Sequence, residues 1–329
     1  MPFLGSGLLG SGLGVSGGSR LIGATWAVDG NGRAYNTPTL GSELLTDGGL
    51  ENWTSANNLT SWSESVTGAS TVNQESSDVH SGTYAARLDV DASGSNVIIS
   101  QTIGNSIGDW LVYDLWVKAS AVGKFWELFI GGGIFYEAPG TAWKRTTITH
   151  RESTANVAPQ FHRLAGLSAS SSLYFDDISI KRIAVSTLLA YVQGTATNTP
   201  LARLNAIAAN TQAGVIGWCD DPSNPHFFVI AIRNGSGSVN LTKCVGGTYT
   251  NLISSSVTFV TDAAIEIRRP SGNTFQLWYN GSQVGADQTI NDSAIADNTA
   301  PFFGPFSTYS GNTFTSFSLN GVDIPFPGA

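Results

Sequence analysis

Short runs rich in Val, Ile, Thr, Tyr and Phe recur along most of this chain, each closed by a cluster of Gly, Ser or Asn. Branched and aromatic residues suit a pleated surface and Gly, Asn and Ser suit turns, so the pattern predicts many short antiparallel strands. Examples are 84–90, 96–103, 110–119, 125–130, 144–150 and 173–180, and then 214–219, 226–234, 238–245, 249–253, 263–269, 274–279 and 282–285. Long helical periodicity is absent, and 201–210 reads as a short helix or a strand. The expected fold class is all-β: two antiparallel β-sandwich (jelly-roll) domains in series behind a Gly-rich N-terminal arm. A length of 329 residues fits about two domains of roughly 150 residues.

Turn chemistry supports hairpins at three places. Asn234-Gly235 and Asn280-Gly281 suit two-residue loops with positive φ at both positions. Asp29-Gly30 and Asn31-Gly32 predict a small hairpin within 20–35, counted with the arm in a segment 1–41. The arm repeats Leu-Gly-Ser-Gly-Leu and lacks both a basic start and an unbroken apolar stretch, so export by a signal peptide is not expected. Gly makes such a stretch costly to order alone. It reads either as a disordered tail or as an arm ordered by a partner, with Phe3, Leu4, Leu8, Leu9, Leu13 and Val15 as docking residues.

Charge narrows the partners. Only 12% of residues are charged, the net charge is −8, and Lys and Arg are not clustered. Nucleic acid is therefore not an expected partner, because neutralising phosphates needs concentrated positive charge. No apolar run is long enough for a helix to span a bilayer, so membrane insertion is not expected. Cys219 and Cys244 are the only thiols, open to a disulfide or to two buried free cysteines. No catalytic signature appears: the four His are scattered, and Glu127 and Glu137 lie near strands with nothing marking them as an acid pair.

Five segments in order then become informative: Glu43-Leu-Leu-Thr-Asp-Gly-Gly-Leu-Glu51-Asn-Trp53, Val79-His-Ser-Gly-Thr-Tyr-Ala-Ala-Arg87, Gln101-Thr-Ile103, Tyr113-Asp-Leu-Trp-Val-Lys-Ala-Ser120 and Leu173-Tyr-Phe-Asp-Asp-Ile-Ser-Ile180. Together, over 42–183, they resemble the jelly-roll carbohydrate-binding modules of families 4 and 9, part of the galactose-binding-like group. The block 186–325 resembles concanavalin- or laminin-G-like jelly rolls, through Phe228-Val-Ile-Ala-Ile-Arg-Asn-Gly235, Glu266-Ile-Arg-Arg269, Phe275-Gln-Leu-Trp-Tyr-Asn-Gly281 and Phe314-Thr-Ser-Phe-Ser-Leu319. The combination behind a Gly-rich start resembles tail, fibre or head-decoration proteins of bacteriophages. What this resemblance implies is a non-enzymatic structural protein on the virion surface, a homo-oligomer docked to capsid or tail proteins and adhering to host polysaccharide. A stand-alone, extracellular bacterial carbohydrate-binding protein is the alternative.

The first resemblance also implies one structural calcium ion (Ca2+), held by Glu51, a carbonyl near His80–Ser81, and Asp176 or Asp177. Hydrogen bonding of these carboxylates to nearby backbone is the other reading. For glycan stacking, strand alternation puts Asp114, Trp116 and Lys118 on one partly polar face, and Trp126, on a face with Leu128 and Ile130, is the expected second ring of that surface. Packing under a loop would explain Trp116 equally. Trp278, beside Gln276, is the solvent-side aromatic of the second block.

Overall fold

The computed structural model describes residues 20–91, 96–131, 133–163 and 171–329, without the side chain of Arg163. The six arm residues from Phe3 to Val15 lie outside the described residues. Strands dominate, and all the larger sheets are antiparallel, as the spacing of turns requires. The ambiguous stretch after Thr199 is a strand, Pro200–Ala206. Among the described residues no helix is long and apolar enough to cross a membrane.

In the N-terminal sandwich one sheet runs in the order Lys144–Arg151, Trp110–Ala119, Ser171–Ile183, Ala85–Val90, Thr71–Glu75, with Leu40–Glu43 paired to the end of Ser171–Ile183. The facing sheet runs Gly133–Glu137, Trp126–Ile130, Gln160–Arg163, Val97–Ser100, Ser63–Val66. Alternation decides what is buried between them. In Trp110–Ala119 the side chains of Leu111, Tyr113, Leu115 and Val117 are fully buried, while Val112, Asp114, Trp116 and Lys118 face outward. Phe161, Phe175 and Trp126 fill the centre.

The C-terminal sandwich is assembled from both ends of the chain. Its larger sheet runs Trp26–Val28, Ala34–Asn36, Thr313–Leu319, Pro200–Ala206, Ala263–Ser271, Thr274–Tyr279, Ser282–Thr289. The hairpin expected within the arm therefore belongs to this sheet: Ala34 pairs with Phe314 and Tyr35 with Thr313. Trp26 is buried against Phe314 and Phe326. The hairpin has too little apolar surface of its own to bury, so it is stable only as an edge of a larger core. The second sheet runs Val192–Gln193, Phe302–Ser307, Gln212–Cys219, Phe228–Asn234, Ser238–Val245, Thr248–Ser256.

Turn chemistry succeeds at one asparagine–glycine pair and fails at the other. Asn280 and Gly281 have φ of 48° and 81° and close a two-residue hairpin, with Tyr279 opposite Ser282. At Asn234-Gly235 the loop is longer. The last pair is Arg233 with Val239, one strand ends at Asn234 and the next begins at Ser238, and Gly237 takes the positive φ, 118°.

Every residue of Gln212–Cys219 is buried, because the strand is covered on both faces. One face packs into the C-terminal core through Ala213, Val215 and Trp218. The other meets the N-terminal sandwich: Trp110 and Ile183 pack with Ile216, Phe228, Ile230 and Phe306 in a separate apolar cluster. Cys219 and Cys244 lie in that cluster as free, buried thiols. Burial pushes both thiols up, Cys244 to about 11, so they act as small apolar side chains. A polar clamp flanks the cluster. Thr149 Oγ1 donates to Gln212 Oε1 at 2.6 Å, and Gln212 Nε2 returns a 2.9 Å bond to the Thr149 carbonyl.

Near this junction Glu152 is fully buried and accepts a 2.6 Å hydrogen bond from Tyr113. Burial raises its pKa to about 7, helped by the Asp109 charge and opposed by the Tyr113 bond. The folded protein thus holds a proton there that the unfolded chain releases near its ordinary value, and stability falls as pH rises from about 4.5 through about 7. The shift corresponds to about 3 kcal/mol at most, and solvent screening reduces this to about 2 kcal/mol. Glu152→Gln cannot lose a proton. Its stability relative to wild type should rise by about 2 kcal/mol between pH 4.5 and pH 8.5, measured by urea unfolding. A constant difference across that range would refute the assignment.

Candidate functional site

The expected calcium residues are hydrogen-bonded in a way that does not fit a cation. Asp176 is fully buried; its Oδ2 accepts from the backbone N–H of His80 at 2.8 Å and of Ser81 at 3.1 Å, and its Oδ1 from Asp177 N–H. Glu51 Oε1 accepts from Thr83 N–H at 2.9 Å, and both its oxygens approach Tyr84 N–H. Asp177 engages Ser81 Oγ and His80 Nδ1. Calcium needs converging oxygen lone pairs, carbonyls included, whereas here N–H groups point at the carboxylates. Among the described residues no group of three His, Cys, Asp or Glu is placed to hold a metal. As placed here, these carboxylates are bonded to nearby backbone, the arrangement of the other reading. These carboxylates tie the 80–84 turn to the Ser171–Ile183 strand and to Glu51. Gly82 is required there: its φ is 66°, and a Cβ would sit 1.9 Å from Glu51 Oε1. Burial, with the neighbouring Asp177 charge, raises the Asp176 pKa to about 6 against the pull of its N–H donors.

The glycan-stacking residues do not form one surface. Trp116 faces outward but is stacked on the His80 ring at 3.7 Å, and His80 meets the edge of Trp143. Asp114 is engaged by Arg145 and Thr147, and Lys118 pairs with Asp78 over the Tyr174 ring. One face of Trp116 is thus used inside the protein. Trp126 is only 1% exposed and packs edge-on against Phe175 in the core. Its alternation with Leu128 and Ile130, all on one face, is the mark of a core position. Trp278, in the other sandwich, lies under Arg268 at 3.7 Å, which Glu266 holds through two bonds of 2.8 and 2.9 Å. Its solvent-side platform is already covered by a guanidinium.

The open aromatic surface lies one residue out of phase with Trp126. Glu127 stands opposite Tyr136 and His162, and Phe129 opposite Ile134 and Gln160, so all six share the outer face of their sheet. Tyr136 is 72% exposed, Ile134 53% and Phe129 45%. Beside them Glu127 and His162 are buried, with Glu127 Oε2 and His162 Nε2 3.5 Å apart. Isolated exposed apolar residues are ordinary; three adjacent ones beside a buried acid–imidazole pair make this face the candidate surface. The alternation of Phe129 against Leu128 and of Tyr136 against Phe135 was the available signal, but the register joining the two strands was not in the sequence. That register also separates the two glutamates. Glu137 lies opposite the inward-facing Trp126, hence on the other face from Glu127, so they do not flank one cleft.

The fold and this face define a two-sandwich all-β protein with an exposed aromatic sheet surface. No family model matches the sequence, and no curated protein matches it. Among solved structures it is similar to TmCBM61, determined in complex with β-1,4-galactotriose: 21% identity, 43% of this chain and 99% of that one, TM-score 0.34. The CBM22-1–CBM22-2 tandem of Paenibacillus barcinonensis Xyn10C is 8% identical over 89% of this chain and 100% of that one, TM-score 0.33. The enzymatically active domain of bacteriophage CBA120 tailspike protein 4 is 14% identical over 43% of this chain and 21% of that one, TM-score 0.34.

Proposed function

We propose that this chain is a non-catalytic carbohydrate-binding protein of a phage particle, displayed in repeated copies on the virion surface. Sugar would be held on the open sheet face bearing Phe129, Ile134 and Tyr136. The observation that carries glycan binding is the exposure of two aromatic rings on one rigid sheet beside Glu127, Gln160 and His162. Aromatic faces stack on the C–H side of a pyranose, while the half-buried Gln160 amide fits its hydroxyls. The virion placement draws on the sequence resemblance, with the Gly-rich leader as the docking element and repeated copies supplying avidity.

Binding of the purified protein to an array of bacterial and plant polysaccharides, followed by calorimetry on any hit, tests the first part. Tyr136→Ala should weaken that binding by at least about 10-fold while leaving stability within about 0.5 kcal/mol, because the ring is largely exposed. A glycan that binds Tyr136→Ala and Phe129→Ala as tightly as wild type would place recognition elsewhere. Mass spectrometry of purified particles tests the second part.

A further inference from the structure

A cleft of about 150 Å³ opens where the two sandwiches meet, lined by His150 and Arg151 from one and by Gln212, Asn240, Tyr249 and Asn251 from the other, among others. Its chemistry is uneven. The Arg151 guanidinium lies 4.1 Å over the Tyr249 ring, and among the described residues no Asp or Glu pairs with it. His150 beside it is half-buried and held neutral at ordinary pH: burial, with the Arg151 charge, lowers its pKa to about 4 against a bond to the Gly131 carbonyl. The cleft therefore carries one positive charge and no negative one from its lining. A half-buried cation is costly unless an anion compensates it.

The rest of the lining is amide and hydroxyl. Asn240 Oδ1 is buried without a hydrogen-bond partner among the described residues, an acceptor in need of a donor. Thr242 Oγ1 donates to Asn251 Oδ1 at 2.7 Å, leaving the Asn251 amide N–H groups for another acceptor. Gln212 is held by Thr149 and Thr308, its Oε1 accepting from both hydroxyls and its Nε2 donating to the Thr149 carbonyl. At about 150 Å³ the space is too small for an extended chain and takes the carboxylate end of a single sugar unit.

We infer that this inter-sandwich cleft binds a carboxylate-bearing sugar unit, its carboxylate on Arg151 and its hydroxyls on Asn240 and Asn251. The site is separate from the sheet face proposed above, sharing no residue with it. Arginine suits this task because its planar fork matches a carboxylate in two parallel bonds.

Calorimetry on the full chain with glucuronate-, galacturonate- and N-acetylneuraminate-terminated oligosaccharides, each beside its carboxyl-reduced counterpart, tests the inference. At least one acidic probe should bind at least about 10-fold more tightly than its reduced form, the order expected for a charged hydrogen bond. Arg151→Gln should abolish that preference, Asn240→Asp should do the same by repulsion, and Tyr136→Ala should leave it intact. Sodium acetate at the same concentration should not displace the probe. The inference is overturned if no acidic probe binds, if acid and reduced forms bind alike, if acetate competes equally, or if Arg151→Gln or Asn240→Asp retains the preference. Should Arg151→Gln fail to fold, Asn240→Asp alone decides. Loss of the preference in Tyr136→Ala would assign it to the sheet face instead.

Discussion

A chain beginning at Thr37 should be less stable by at least about 5 kcal/mol in its C-terminal sandwich than one beginning at Arg20. The comparison removes Leu21, Trp26 and Ala34, all buried in the C-terminal core. Losing a buried Trp alone costs about 3–5 kcal/mol and a buried Leu about 2–5 kcal/mol. Phe314 and Phe326 would be uncovered, and part of the Thr313–Leu319 strand would become an unpaired edge. Asn36, fully buried, donates to the carbonyls of Thr187 and Ser307, and these acceptors would also lose their partner. Urea unfolding followed by the near-ultraviolet signal should resolve two transitions in the shorter chain, the weaker from the C-terminal sandwich. Equal midpoints for the two chains would mean that the hairpin is not part of that core.

Trp126→Ala should cost about 3–5 kcal/mol in the N-terminal sandwich, whereas Trp116→Ala should cost much less, since Trp116 is partly exposed and packs chiefly on His80. Trp126 is buried among the core side chains and meets Phe175 edge-on at 5.7 Å. Its indole Nε1 is buried without a hydrogen-bond partner among the described residues, so the ring contributes through packing while its polar atom opposes burial. Trp126→Phe should accordingly recover most of the lost stability, because it keeps an aromatic ring and removes the unpaired donor. Chemical denaturation of the three variants checks the order. A Trp126→Ala cost no larger than that of Trp116→Ala would contradict the core assignment.

The same residue shows how far a linear reading reaches. Alternation along Trp126–Ile130 sorts side chains into two faces without saying which face is inside. Alternation puts Trp126 on one face with Leu128 and Ile130; the expectation took that face for a stacking surface beside Trp116, whereas it is the core face. Phe129 and Tyr136 became a candidate site only when strand pairing placed them on one face. The carboxylates behave similarly. Glu51, Asp176 and Asp177 are brought into one region as the resemblance implied, yet backbone N–H groups rather than carbonyl oxygens meet them. Which backbone atom faces a side chain depends on the φ and ψ of a turn, and the residue types leave that open.

Local preferences therefore settled the all-β class, most strand positions and the Asn280-Gly281 hairpin, because pleat periodicity and positive φ are properties of neighbouring residues. Tertiary structure alone decided that the 26–36 hairpin completes a sheet with strands almost 300 residues further on, and that Gln212–Cys219 is covered on its second face by the other sandwich. It alone also decided that, among the described residues, no carboxylate pairs with Arg151 in the cleft between them. Those outcomes depend on which distant surfaces bury one another, a choice made by apolar area and hydrogen-bond satisfaction over the whole molecule.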